Sequence, residues 1–148
     1  MHRFLVPPDH AQGERITLPE PAARQVHVVL RLRPGERIIA LDGAGEEMEV
    51  ELTEVTREHV TGRILARRAA AGEPHVRVTL YPSLLKHDRF EWVLQKCTEL
   101  GVAEFVPVIS QRTIPRDVRA SAGNRARWQR IIAEAVDQSR RGRLPTLR

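Results

Sequence analysis

The sequence predicts an α/β protein of two modules, a small N-terminal β-barrel or sandwich followed by the first part of a parallel α/β sheet. Three observations predict it. Residues 1–70 hold several short runs of alternating apolar and polar residues with one short helical pattern among them. The stretch AAAGEP at 69–74 carries no packing pattern and contains glycine and proline, so it separates the modules, with a linker over 71–75. Residues 81–110 then read strand, helix, strand, a βαβ unit whose strands run parallel.

In the first module, residues 3–6 form a strand ended by Pro7 and Pro8, and 15–18 a second. Pro21 suits the first turn of a helix whose apolar stripe is Val26, Val29, Leu30 and Leu32. After the Pro34-Gly35 turn, 37–41 is a strand running into an Asp42-Gly43 hairpin. Met48, Val50 and Leu52 alternate with Glu47, Glu49 and Glu51, a half-buried strand with an acidic outer face, and 60–66 supplies another.

The second module spans 76–148. Val76, Val78 and Leu80 give its first strand. Asp88 stands three residues before Glu91, a capping-box spacing that starts a helix, and Gly101 is placed to end it in a left-handed cap. Phe90, Val93, Leu94 and Cys97 share its apolar face, where Cys97 is a small buried hydrophobe. The second strand is 105–109, although Pro107 cannot donate to a ladder. Residues 111–123 read as an arginine-bearing loop after that strand's carboxyl end. Asn124 then caps a second helix, with Trp128, Ile131, Ile132, Ala135 and Val136 on one side and Arg127, Arg130, Glu134, Asp137 and Arg141 on the other. Gly142 and Pro145 close it, and 144–148 begins a third strand.

Composition narrows the function. The chain has 148 residues, 41% hydrophobic and 29% charged, with no apolar run of membrane-spanning length. Its N-terminus lacks the apolar core of a secretory signal, so the cytoplasm is the expected compartment, and a single cysteine excludes an internal disulfide framework. The net charge of +5 is uneven: residues 111–148 hold ten Arg, no Lys and three acids, a local +7, while the rest sums to −2. Clustered arginine forks suit phosphate oxygens, so a nucleic acid leads the partner classes. No phosphate-binding glycine loop, no metal-ligand spacing among the six His and no nucleophile triad occurs, and 4% aromatic content argues against a base-stacking platform.

On the first helix of the second module, Trp92, Gln95, Lys96 and Glu99 fall on one face. By spacing alone they form a solvated face with a Lys96/Glu99 pair. Lys86, at a strand's carboxyl end where open α/β sheets place ligands, favours a functional role for this region.

Several blocks in order resemble the RsmE-type 16S rRNA uridine-N3 methyltransferases of the SPOUT class. They are Arg3-Phe4-Leu5-Val6; His27 to Arg33 with Gly35; Asp42-Gly43; Lys86; Gln95 to Val102; Pro107; Gln111-Arg112-Thr113; Arg127-Trp128; and Glu134 to Arg141. The resemblance implies a PUA-like RNA-binding barrel followed by a Rossmann-like, trefoil-knotted domain. That domain binds S-adenosyl-L-methionine, dimerises and methylates N3 of a uridine in the small ribosomal subunit. It also implies catalytic roles for Lys86, Glu99, Arg112 and Arg141, and RNA contacts from Arg3, His27, Arg31, Arg33, Lys96, Arg127 and Gln138. The chain departs from the family in Asp137-Gln138-Ser139-Arg140-Arg141, where Glu-Gln-Ser-small-Arg is usual, and in Gln111-Arg112-Thr113, where Glu-Arg-Ser is usual. The glycine-rich GPEGG loop and terminal segment of the family are absent from the 148 residues, so the fragment alone is expected neither to hold the methyl donor nor to methylate. No metal is expected. A non-catalytic RNA-binding adaptor and a SPOUT enzyme acting on tRNA are the alternatives.

Overall fold

The computed structural model describes residues 1–85, 88–111 and 115–148, and for 115–122 the backbone alone. It divides into two compact units, Met1–Ala71 and Gly72–Arg148.

In the first unit, strands β1 (Arg3–Leu5), β2 (Ala11–Gln12), β3 (Arg15–Thr17), β4 (Arg37–Leu41), β5 (Glu46–Val55) and β6 (Val60–Ala69) form one sheet in the order β1-β4-β5-β6-β3-β2. Only β1 and β4 pair in parallel. The sheet curls into a half-barrel with β1 and β2 as its edges. Register shifts at Glu49/Val50 and Leu52/Glu54 contribute, because a bulge bends its strand and increases local twist. Gly62 in β6 is needed for the close approach of β5, since a Cβ there would stand 2.4 Å from Val50 Cγ1 and 2.9 Å from the Glu51 carbonyl. Phe4, Ile16, Ile38, Met48, Val50 and Leu52 fill the concave side.

The expected hairpin forms. One oxygen of Asp42 accepts the backbone N–H groups of Ala44, Gly45 and Glu46 at 2.8–3.0 Å. The helix differs from the even stripe expected: α1 (Glu20–Arg24) widens into a π-helical turn over Gln25–Leu30, closed by Arg31 in the left-handed region at φ 53° with Leu32 N–H donating to the Val26 carbonyl. That geometry buries Val26 and leaves Val28 and Val29 exposed. The acidic outer face of β5 also needs correction. Glu47 is 4% exposed, because Arg3 at 2.6 Å and Arg68 at 2.5 Å cover its carboxylate.

The second unit holds β7 (Thr79–Leu80), α2 (Asp88–Glu99), β8 (Glu104–Phe105), α3 (Pro115–Ser139) and β9 (Thr146–Leu147), with an all-parallel sheet in the order β7-β8-β9. Phe90, Leu94, Phe105, Trp128, Ile132 and Leu147 make its core, where the Phe90 and Trp128 rings lie 4.5 Å apart, tilted by 50°. Gly101 ends α2 as expected, at φ 98°, with Val102 N–H reaching back to the Cys97 carbonyl.

Three boundaries moved. The first strand does not extend to Val76 and Val78, which are exposed; its ladder begins at Thr79. β8 stops at Phe105 ahead of Pro107, and pairing resumes only as a single parallel bridge between Ser83 and Val108. The loop expected over 111–123 is helical from Pro115, whose fixed φ suits a first turn. Gly123 and Asn124 lower helix propensity by up to about 1 kcal/mol each, and the packed stripe through Trp128, Ile132 and Val136 outweighs that cost. At its other end α3 stops at Ser139, because Arg140 turns left-handed at φ 59° and Arg141 N–H bonds back to the Val136 carbonyl.

Candidate functional site

All three strands of the second unit point their carboxyl ends the same way, so the segments that follow them meet at one edge of the sheet. Lys86 and Arg112 belong to two of those segments in sequence, and both lie outside the described residues. Their described neighbours border a hollow of about 220 Å³. Its walls are Leu84, Pro107, Ile109 and Trp128, with Leu147, Arg125 and Arg148 completing it. Arg125 donates a terminal N–H to the Leu147 carbonyl, and Arg148 Nε pairs with the buried carboxylate of Glu104 at 2.6 Å.

The polar face of α2 forms as spacing predicts. Lys96 Nζ donates to both carboxylate oxygens of Glu99 at 2.9 Å, and both side chains are part-exposed. Arg127 of α3 reaches Glu91 of α2 at 2.8 Å. Between the helices runs a cleft of about 530 Å³ whose rim carries Trp92, Gln95 and Gln138, with carboxylates from Asp88, Glu91 and Glu134. The packing of α2 against α3 brings Gln95 and Gln138 together here, whereas Lys96 and Glu99 stand outside the cleft.

Arg141 is placed otherwise than its helical-wheel position implied. It is 3% exposed and lies beyond the end of α3. Its guanidinium donates to the Thr98 and Val102 carbonyls at 3.0 and 2.7 Å and to Glu73 at 2.9 Å. Glu73, from the stretch that reads as a linker, also accepts the N–H groups of Gly142 and Arg143 at 2.9 Å. Burial opposes its charge, yet Arg141 and those amides together hold the Glu73 carboxyl below its ordinary range. Arg141 therefore ties the C-terminal end of α2 to the entry of β9. Pro74 packs so closely on Gly101 that a Cβ there would stand 2.3 Å from Pro74 Cγ.

In the first unit, Arg3 is committed to Glu47 rather than presented to solvent, and with Arg68 it keeps the Glu47 carboxyl low against the effect of burial. Arg31 and Arg33 are exposed on either side of Leu32, His27 is half-buried on the π-helical turn, and the Arg33 backbone N–H donates to Glu36. The β-sheet arginines Arg37, Arg63 and Arg67 each pair with a glutamate at 3.0–3.2 Å. Among the described residues no cluster of His, Cys, Asp or Glu could hold a metal ion, and no helix is long and apolar enough to cross a membrane. Burial raises the pKa of the Cys97 thiol, in keeping with a packing role.

Sequence reasoning missed Glu73, Glu104 and Arg125. No periodic pattern marks them, because each acts through a partner distant in the chain or through the backbone.

A family profile described as an RNA methyltransferase domain matches residues 72–148, and one described as an RNA methyltransferase PUA domain matches 27–65. The ribosomal RNA small subunit methyltransferase E of Synechocystis sp. is 33% identical over 144 residues, covering 97% of this chain and 46% of the relative. The Bacillus subtilis protein of the same name is 30% identical over 149 residues, covering 98% and 58%. The crystal structure of ribosomal RNA small subunit methyltransferase E from Neisseria gonorrhoeae bound to S-adenosyl methionine superposes with a TM-score of 0.88 at 36% identity, covering 100% of this chain and 60% of that one. The chain thus spans about half the length of the curated relatives it matches.

Proposed function

Because the chain belongs to the RNA methyltransferase family of the RsmE type, with a PUA domain ahead of the methyltransferase domain, we propose that it is part of an enzyme that methylates N3 of a uridine in 16S rRNA of the small ribosomal subunit. The supporting observation is that the two family profiles fall within the two units that the fold separates, and in the same order. S-adenosyl-L-methionine, which the Neisseria relative binds, is the proposed methyl donor. The cradle at Gly101 is filled by Pro74, and the amides of Gly142 and Arg143 are taken by Glu73. We therefore place the donor's contacts in the part of the family that these 148 residues do not span. Calorimetry on the 148-residue chain should show no micromolar donor binding, and such binding would overturn that placement.

Uridine N3 carries a weakly acidic proton, so its methylation needs that proton removed and the resulting anion stabilised while the base is held in line. Lys86 and Arg112 are the proposed cations, following the strands' carboxyl ends. Glu99, bound through both oxygens to Lys96, orients that ammonium toward RNA. Arg141 serves as a positioning residue, since its guanidinium is spent on α2 and Glu73. His27, Arg31, Arg33, Arg127 and Gln138 are the proposed RNA contacts. The enzyme is proposed to act in the cytoplasm as a homodimer. Lys86→Ala or Arg112→Ala in the full reading frame should cut turnover far more than RNA affinity, and an equal loss in both would refute the catalytic assignment.

A further inference from the structure

We propose that the hollow at the carboxyl ends of β7, β8 and β9 is the seat of the target pyrimidine, with Arg125 as the cation that faces its ring edge. This rests on the uridine reading above and names the subsite and a residue for it. At about 220 Å³ the hollow lies below the roughly 300 Å³ at which pockets for drug-sized ligands begin, so it holds one small ring rather than a whole nucleotide or methyl donor. Its walls suit a flat base: the Pro107 ring, Leu84, Ile109 and the indole of Trp128 are apolar. Ile109 is 66% exposed, a large apolar side chain left uncovered at the mouth.

Charge points the same way. The larger cleft between α2 and α3 carries Asp88, Glu91 and Glu134, with Arg127 offsetting Glu91, and is a poor place for an anion. Among the described residues the strand-end hollow has Arg125 and Arg148 on its lining and no carboxylate; Glu104, which pairs with Arg148, is also engaged by Arg77 and Thr79. One terminal N–H of Arg125 is anchored on the Leu147 carbonyl, which holds the guanidinium at the lining of the hollow. A guanidinium donates to carbonyl oxygens, and a uracil losing its N3 proton spreads the charge onto the two oxygens that flank N3, so a cation on one of them leaves the N3 lone pair free for the methyl group.

The test uses the 148-residue chain with Trp92→Phe, so that Trp128 gives the sole indole N–H signal in a ¹⁵N NMR spectrum. Uridine should move that signal saturably and adenosine should not. Arg125→Gln should weaken uridine by about tenfold, Arg125→Lys should fall between, and Ile109→Phe, which fills the mouth, should abolish the shift in a chain whose spectrum is otherwise native. A silent Trp128, an equal response to adenosine, or unchanged affinity in Arg125→Gln would overturn the proposal. Mapping the methylated product of the full-length enzyme separates the two ideas. A product other than N3-methyluridine with Trp128 still responding would sink the function and leave the hollow, whereas N3-methyluridine with Trp128 silent does the reverse.

Discussion

Replacing Arg141 by alanine removes a guanidinium that is 4% exposed in its side chain and strands three sets of partners at once. The Thr98 and Val102 carbonyls lose donors at 3.0 and 2.7 Å, and Glu73 keeps the amides of Gly142 and Arg143 but loses its cation. Breaking a buried ion pair by removing one partner costs about 3–5 kcal/mol. Against the 5–15 kcal/mol total typical of a domain, roughly, that is a large part of the second unit's stability. The assay is unusually direct. Both tryptophans, Trp92 and Trp128, lie in the second unit, so intrinsic fluorescence follows its unfolding without contribution from the first. With a urea slope of about 1–1.5 kcal/mol per molar for so small a unit, the midpoint should fall by at least about 2 M. Glu73→Gln combined with Arg141→Met should recover part of the loss, because the uncompensated carboxylate is then gone. A midpoint change under about 0.5 M in Arg141→Ala, together with a loss of turnover when the same substitution is made in the full-length enzyme, would refute the positioning role and return Arg141 to the substrate.

Gly101→Ala forces a side chain onto φ 98° and into Pro74, and should destabilise the second unit by about 1–2 kcal/mol or more, with Pro74→Ala relieving the contact but not the backbone strain. Glu47 and Glu73 have folded-state pKa values below the unfolded carboxylate value of about 4.3, so the folded chain binds fewer protons there. Their stabilisation is complete above that value and is lost as pH falls through the lowered folded values. Glu73→Gln should therefore flatten the acid limb reported by tryptophan fluorescence. Lys96→Ala breaks only a part-exposed pair and should change stability by less than about 1 kcal/mol, so any larger loss of RNA affinity, measured by filter binding, reflects contact with RNA.

Local chemistry made parts of the fold legible. Gly101 marks the end of α2 and Asp42-Gly43 the hairpin, because C-cap and turn geometry are satisfied within a few residues, and α2 starts at Asp88 where the Asp88/Glu91 spacing puts it. Interactions across long stretches of chain were hidden. Glu73 sits in a run with no period, yet its partners lie 68 to 70 residues away, and Arg3 meets Glu47 44 residues on. Arg141 was misplaced because a helical wheel assumes the helix continues, whereas the left-handed turn at Arg140 swings the next side chain inward. Similarly, Pro115 could be read as a loop residue or as a first helical turn, and only the packing of Trp128 and Ile132 decides between them. At the site, spacing found the Lys96/Glu99 pair, but the hollow beside Arg125 and Trp128 exists only once the three strands align.

The most direct measurement of what the chain is for uses the full-length protein, a radiolabelled methyl donor, and small ribosomal subunits alongside total tRNA as acceptors, with the labelled nucleoside identified by mass spectrometry. Label should appear in small-subunit rRNA alone, as N3-methyluridine at a single position. Label in tRNA, or at another atom of the base, would contradict it.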